Sequence, residues 1–272
     1  MMMVLVKKII VMEKLGLKPP IYQHWGKINF EGMKLSTSKT KLAIEQGEYT
    51  SWDDIRLATI KALRRRGYQK AALEKFAQEI GLSLNDKTVT QEEFWKQINA
   101  FNKEIIEPSS NRYFFVDNPK ELVIDNFKEA EIKLSLHPDY PERGFRKFKV
   151  QSSFLVNRED LESLKSNTVN RLIDCCNFVN EGDKSNFQFI SKDYSEFKDA
   201  EHKGKIIHFL PNDDMQIIDA QVLMPDNTFL RGKVEKNILN QKVGDIVQLE
   251  RRFFAKVDKI SESKVTFWYL HK

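Results

Sequence analysis

The spacing of apolar residues changes near Pro108. Before this proline, apolar residues recur every three or four positions, which is typical of helices with one buried face. After it, apolar and polar residues alternate over short runs that are separated by turn-forming residues, which indicates β-strands. The pattern therefore predicts a helical first part and a β-rich second part.

Cap and stop signals divide the first part into separate helices. Asp53 or Asp54 is predicted to cap a helix that ends at Gly67 with basic residues in its last turn. Pro108 is predicted to end the last helix. The predicted helices cover residues 4–15, 42–45, 54–66, 69–80 and 91–106.

The second part contains short runs with polar turns between them, a pattern typical of antiparallel barrels. Its length is sufficient for two small barrels. The strand candidates are 112–116, 131–136, 145–156, 171–178, 187–192, 205–210, 215–223, the region of Val234, 245–249, 255–260 and 264–271. We therefore expect an α+β multidomain chain divided into residues 1–45, 46–108 and 109–272.

The composition mainly excludes some kinds of protein and site. With 41% apolar and 31% charged residues, the chain is typical of a globular protein, and its net charge of +5 permits a polyanionic partner without requiring one. Cys175 and Cys176 are adjacent and the five histidines are scattered, so neither a disulfide framework nor a metal site is expected. We expect a reducing, cytoplasmic location.

The N-terminal segment, residues 4–15, has little polar surface on any face of a helix. Such a helix is expected to be buried on most sides. It is too short to span a bilayer, so no membrane partner is expected.

The most conspicuous candidate for chemistry is the segment Met33–Lys41, with the sequence MKLSTSKTK. It is predicted to be a loop after Gly32. Lysine ammonium groups with serine and threonine hydroxyls can hold a polyanion such as a triphosphate. The alternative is a solvated polar loop.

Longer runs on both sides of this segment resemble a known family. They are HWGKINFEGMKLSTSK at residues 24–39, SWDDIRLATIKALRRRG at 51–67, HPDYPERGFR at 137–146 and GDIVQLER at 244–251. Together they resemble class I aminoacyl-tRNA synthetases of the glutamyl/glutaminyl group, in particular the archaeal-type glutamyl-tRNA synthetases.

The resemblance implies the C-terminal half of such an enzyme. It implies a remnant of the Rossmann catalytic domain, a helical subdomain that contacts the tRNA stem, and two β-barrels that bind the anticodon. The first synthetase signature, H-x-G-H, does not occur in the chain. A separate N-terminal catalytic half is therefore expected as a partner, besides tRNA-Glu, and the chain is expected to be inactive without it.

The resemblance also implies a role for the lysine-rich segment, which stands where the family carries K-M-S-K-S. Lys34 and Lys39 are expected to be catalytic, because Thr37 replaces the second lysine of that signature and Lys39 would supply the missing charge. ATP is expected as a substrate, with Mg²⁺ but without an assigned protein ligand for it. The residues expected to hold the ATP phosphates are Lys34, Ser36, Thr37, Ser38 and Lys39.

RNA contacts are expected in two places by resemblance. The residues are Arg64, Arg65 and Arg66 at a helix end, and Arg146, Lys205, Gln248 and Arg251 in the barrels. Arginine and glutamine can each make paired hydrogen bonds to a base edge. For each, the alternative is a salt bridge or a solvated surface residue.

Two other functions are compatible with the sequence. One is a non-catalytic tRNA-binding module derived from a synthetase, although such a module has no use for an ATP-site segment. The other is half of a glutaminyl-specific enzyme, because the amino-acid pocket lies outside this chain.

Overall fold

Residues 2–21, 23, 25–182 and 186–272 are described by the computed structural model of the protein. His24, the first residue of the first family-like run, lies outside the described residues. The elements of the first part are α1 (Met2–Lys14), β1 (Ile28–Glu31), α2 (Thr37–Glu45), α3 (Ile60–Arg66), α4 (Lys70–Ile80), β2 (Lys87–Thr90) and α5 (Gln91–Ile106).

The second part is built mainly of strands. Its elements are β3 (Asn111–Tyr113), β4 (Phe115–Asp117), β5 (Pro119–Asp125), β6 (Ala130–Ser135), β7 (Phe145–Val150), β8 (Ser153–Asn157), α6 (Arg158–Glu162), β9 (Val169–Leu172), β10 (Cys176–Asn180), β11 (Phe187–Ser191), α7 (Tyr194–Asp199), β12 (Lys203–Ile207), β13 (Leu210–Pro211), β14 (Ile217–Leu223), β15 (Phe229–Glu235), β16 (Ile246–Leu249), β17 (Phe253–Ile260) and β18 (Lys264–His271).

The helices at 69–80 and 91–106 are confirmed, and their ends follow local signals. The α5 helix begins with a capping box, in which the Thr90 hydroxyl and the Glu93 carboxylate each satisfy a backbone N–H of the other residue. The α3 helix ends at Gly67, which has a φ of +115°. A side chain at Gly67 would also press against Ile246 and Leu270 of the neighbouring sheet.

Two expectations about helix starts are wrong. Neither Asp53 nor Asp54 caps α3; its cap is Thr59, whose hydroxyl accepts from the backbone N–H of Ala62. The lysine-rich segment is only partly a loop, since α2 begins at Thr37. The reason is Ser36, whose hydroxyl accepts from the Lys39 N–H and caps the helix.

Among the described residues, the strands form two seven-stranded sheets and two two-stranded pairs. The sheet that we call the first runs in the order β12-β9-β10-β11-β5-β8-β13, and the second runs β3-β16-β17-β18-β14-β15-β4. The edges of the second sheet, β3 and β4, are separated only by Phe114. This sheet must therefore curl until its edges meet, which gives a nearly closed barrel.

The expectation of purely antiparallel pairing is wrong for part of both sheets. The pairs β5–β11 and β9–β12 run parallel in the first sheet, and β14–β18 and β3–β16 do so in the second. Parallel neighbours need long connections. Here those connections consist of other strands and short helices, and the connection from β3 to β16 includes the whole first sheet.

Each large sheet encloses an apolar core, and a third apolar cluster joins the helices to the second sheet. The third cluster contains residues of α3, α4 and α5 together with Phe254 and Leu270. Asn102, which is fully buried, accepts from the Gln69 N–H at 2.7 Å and lies 3.0 Å from His271 Nε2. The α3–α5 helices and the second sheet therefore pack as one unit.

Arg66 is the strongest polar link in this junction. It is 5% exposed, and its guanidinium donates to the backbone carbonyl of Leu270 at 2.7 Å and to that of Tyr269 at 3.3 Å. The same group lies over the rings of Tyr68 and Trp95. The side chain thus connects the end of α3 to β18.

The α1 helix is present as predicted, but its expected burial is wrong for the described side chains. Val6, Ile10 and Val11 are each 45–55% exposed, and Leu15, directly after the helix, is 68% exposed. No described helix has the length and apolar character needed to cross a bilayer.

We expect Arg66→Ala to lower the free energy of unfolding by about 2–4 kcal/mol, because it removes a buried, hydrogen-bonded charge and leaves carbonyls without a donor. Arg64→Ala is the matched control, since Arg64 is exposed on the same helix turn, and its effect is expected to stay within about 0.5 kcal/mol. Urea unfolding of both variants measures the difference. Equal losses in the two would contradict this role for Arg66.

Two of the buried histidines, His208 and His271, give an expectation for how stability depends on pH. Burial lowers the pKa of both His208 and His271 to about 4, from an ordinary value of 6.5. Below pH 6.5 these two histidines take up protons in the unfolded chain, whereas in the folded chain they stay mostly neutral down to about pH 4. The free energy of unfolding therefore falls as the pH falls from about 6.5 to about 4.

His271→Gln is expected to reduce this loss by about half, since one of the two histidines is removed. His202→Gln is the control, because His202 is exposed. The melting temperature of each variant, measured across this pH window, tests the prediction. A pH dependence that His271→Gln leaves at the wild-type value would show that His271 does not contribute.

Candidate nucleotide and RNA contact sites

The lysine-rich segment forms one wall of a cavity of about 400 Å³. Of the residues expected to hold phosphates, Lys34, Ser36 and Lys39 line the cavity, whereas Thr37 and Ser38 do not. The free N–H groups at the first turn of α2 and the helix dipole favour an anion here. The other lining residues are Met33, Leu35, Thr40, Ala43, Glu48 and Tyr49.

The cavity contains one carboxylate among its cations. Lys34 Nζ lies 3.6 Å from Glu48 Oε1, and both side chains are more than half exposed. Such an exposed pair contributes little to stability and can exchange for a stronger anion. Lys34 and Lys39 are therefore available to a polyanionic ligand.

Asp54 and Arg56 support the wall of the cavity that faces the lysines. The Asp54 carboxylate accepts from Arg56 Nε at 2.9 Å and from its Nη2 at 2.8 Å, and this contact holds the Asp54 pKa well below its usual range. Arg56 also donates to the Glu48 carbonyl at 2.6 Å and lies 4.8 Å from the centre of the Tyr49 ring. Asp54 therefore pairs with Arg56 instead of capping α3.

Glu48 and Tyr49 were not anticipated as cavity residues. The only sequence signal for them was indirect. The Asp-x-Arg spacing of residues 54 and 56 suits a local ion pair, and that pair fixes the turn before it.

The three consecutive arginines of α3 have different surroundings. Arg64 is exposed and lines a groove of about 750 Å³ with Lys70 and Lys256. Arg65 pairs with Asp53 at 2.8 Å and lies 3.9 Å from the centre of the Trp268 ring. Arg66 is buried in the junction, so the structure does not support it as an RNA contact.

Arg146 is also buried, with 2% of its surface exposed. Its guanidinium bonds to Glu235, and to Glu250 Oε2 at 2.8 Å. Both carboxylates compete with any base for its donors. The structure therefore does not support Arg146 as an RNA contact either.

The remaining barrel candidates are at least partly accessible. Gln248 lies on β16 and is partly exposed. Arg251 occupies a tight turn with a φ of +62°, and its Nη1 is 3.8 Å from Asp160 Oδ2. Lys205 Nζ donates to the Ser163 hydroxyl at 2.6 Å. Gln248 and Arg251 are close in sequence, whereas Lys205 belongs to the first sheet.

Potential metal-ligand atoms lie within 4.8 Å of one another on Glu107, His137 and Asp139. Both ring nitrogens of His137 already have hydrogen-bond partners, however. Its Nδ1 accepts from the Asp139 N–H at 3.2 Å, and its Nε2 faces the Glu107 carbonyl at 3.1 Å. This leaves no ring lone pair for an ion.

Comparison with known proteins agrees with the order of these regions. Residues 5–108 match the family described as tRNA synthetases class I (E and Q), catalytic domain. Residues 110–194 and 192–258 match two families, each described as tRNA synthetases class I (E and Q), anti-codon binding domain.

The chain is also similar to curated proteins named glutamate–tRNA ligase. It is 39% identical to that of Pyrococcus furiosus over 96% of this chain and 45% of the relative, and 36% identical to that of Methanosphaera stadtmanae over 94% and 45%. The chain is 40% identical to the protein of Methanosarcina acetivorans, over 94% of this chain and 43% of the relative.

The chain thus spans a little under half the length of the curated relatives it matches. The part matched contains both anticodon-binding domains and is consistent with the C-terminal part of such an enzyme. The chain belongs to the class I (E and Q) tRNA synthetases, and it carries a catalytic-domain segment followed by two anticodon-binding domains.

Proposed function

We propose that the chain is the tRNA-binding part of a glutamate–tRNA ligase and that it supplies the lysine-rich segment to the ATP site. The observation that carries this proposal is the pair Lys34 and Lys39 at the start of α2, in a region that matches the family's catalytic domain. In the reaction, glutamate and ATP give glutamyl-adenylate and pyrophosphate, and the glutamyl group then passes to tRNA-Glu.

The lysine-rich segment would act by charge and position. Chemistry at phosphates depends on neutralising charge and aligning the reacting groups, and it needs no protein nucleophile. Lys34 and Lys39 would neutralise the ATP phosphates. Ser36 would keep Lys39 at the start of the helix, with hydroxyls and N–H groups of Thr37 and Ser38 as donors. Mg²⁺ would accompany ATP, and we assign it no ligand in this chain.

Three domains follow from this proposal. Residues 1–45 would be the remnant of a Rossmann domain, residues 46–108 the subdomain that contacts the tRNA stem, and residues 109–272 two anticodon-binding barrels. In the first large sheet the edge strands β12 and β13 are also close in sequence, which supports a second barrel.

The proposal includes a separate N-terminal catalytic half as a cytoplasmic partner. The exposed apolar side chains of α1 support it, because a surface of this kind is usually covered by another protein surface. Without that half the chain would bind tRNA but form no adenylate.

We place the RNA contacts on Arg64, Lys205, Gln248 and Arg251. Arg65 would serve mainly as a brace between Asp53 and Trp268. The groove beside Arg64 presents Lys70 and Lys256 as well, which suits the phosphate backbone of a tRNA stem.

Co-expression with the catalytic-domain polypeptide of the same cell tests the proposal. We expect a stable complex that glutamylates tRNA-Glu, while neither polypeptide does so alone. Charging of tRNA with glutamine would favour the glutaminyl alternative. Binding of tRNA by this chain without any partner or charging activity would favour the non-catalytic module and overturn the catalytic role.

Lys39→Ala should slow ATP–pyrophosphate exchange by the reconstituted enzyme by about tenfold or more, because a charge aimed at the phosphates is lost. Lys41→Ala is the matched control. Lys41 lies on the same helix, pairs with Glu45 at 3.8 Å and does not line the cavity. An exchange rate that Lys39→Ala leaves unchanged would remove Lys39 from the ATP site.

A further inference from the structure

The β6–β7 pair is a two-stranded ribbon with one buried and one exposed face. Along β7 burial alternates residue by residue, with Arg146, Phe148 and Val150 buried and the residues between them exposed. We call the other face of the pair the outer face of the ribbon. It consists of Glu131, Lys133, Ser135, Phe145, Lys147 and Lys149, according to the antiparallel register.

Phe145 is the aromatic residue of this face, and 48% of its surface is exposed. Lys133 Nζ lies 3.8 Å from the centre of its ring. Since nearly half of the residue remains exposed beside this cation, a flat partner can reach the ring and stack on it.

The charge of the outer face is mostly positive. Lys133 and Lys147 are directly opposite each other in the register, an arrangement that destabilises a strand pair in the absence of an anion. Glu131 pairs with Lys147 at 3.2 Å. Within the described part of the chain, Lys133 and Lys149 have no salt-bridge partner. The face therefore suits a polyanion.

The ribbon lies next to the segment proposed to contact RNA. The neighbour of Phe145, Arg146, bonds to Glu250 at 2.8 Å, between Gln248 and Arg251 in sequence. The end of β6 is also connected to the segment around Gln248. The Leu136 carbonyl accepts from the Arg112 N–H at 2.7 Å, and Arg112 lies opposite Gln248 in the register of β3 and β16.

We propose that the outer face of the ribbon is a base-stacking platform for single-stranded RNA. An unpaired base stacks on the Phe145 ring, and Lys133, Lys147 and Lys149 hold the flanking phosphates. An aromatic ring beside several cations is the combination with which proteins bind unpaired nucleotides. This inference rests on the proposed binding of tRNA and names a contact for its unpaired loop.

The test measures binding of the full chain to the anticodon stem-loop of tRNA-Glu and to an RNA duplex of the same length, by fluorescence anisotropy at several salt concentrations. We expect Phe145→Leu to weaken binding to the stem-loop about tenfold and to leave duplex binding unchanged. Phe145→Trp is expected to retain wild-type affinity. The salt dependence should not change, because no charge is removed.

Lys149→Ala should weaken binding to the stem-loop and reduce the slope of log affinity against log salt by about 0.7. Phe229→Leu is the control for the aromatic substitution. Phe229 is 45% exposed, at a hairpin that carries Asp226, and its loss should not affect binding. Circular dichroism verifies that each variant is folded.

Two negative results have different meanings. If the wild-type chain binds the stem-loop and Phe145→Leu binds within twofold of it, the platform is overturned while the proposed tRNA binding stands. If the wild-type chain binds neither RNA, the proposed tRNA binding itself fails, and the platform fails with it.

Discussion

The buried contact between Arg146 and Glu235 is the constraint on which most of the β-rich part depends. Glu235 is fully buried, and it also accepts from the backbone N–H of Phe114, the residue where the edges of the second sheet meet. Arg146 comes from the ribbon and lies 4.4 Å from the centre of the Phe114 ring. One ion pair therefore joins the ribbon to the closure point of the barrel. Removing one partner would leave the other charge buried without compensation.

This pair also determines which residues of the ribbon can meet a ligand. Because β7 alternates between faces, an inward Arg146 requires an outward Phe145 and Lys147. The sequence FRKFKV already contained this signal, since Arg146 shares its face with Phe148 and Val150. Family resemblance favours Arg146 as an RNA contact, whereas the alternation of buried and exposed positions along the strand favours its exposed neighbours, Phe145 and Lys147.

Much of the helical part was predictable because its signals are local. Gly67, Gly81 and the capping box at Thr90 ended or began helices where expected. The start of α2 is not evident from composition, because serine, threonine and lysine residues in one run are typical of a loop, although Ser36 is a good cap. The β5 strand was missed because Pro119 and charged residues interrupt its apolar pattern. The parallel pairs depend on strand order, which is a long-range property that no local pattern carries.

The candidate sites were predicted less completely than the fold. Three adjacent arginines have the same chemistry in sequence, but successive helix positions point about 100° apart, so one is solvated, one braces a ring and one is buried. Likewise the cavity at Lys34 and Lys39 depends on Glu48 and Tyr49, which the Asp54–Arg56 pair positions. Burial and pairing decide such roles, and both depend on residues distant in sequence.

The hydrogen bonds between Arg66 and β18 have a consequence for biosynthesis. The bonded residues are separated by 203 and 204 positions. During translation, α3 is therefore made long before the strand whose carbonyls accept hydrogen bonds from its arginine. Contacts of such separation form slowly, and the N-terminal regions of a chain fold first. Until β18 emerges, the nascent helices carry a solvated Arg66 and an uncovered apolar face, so this junction can form only after β18 has been made.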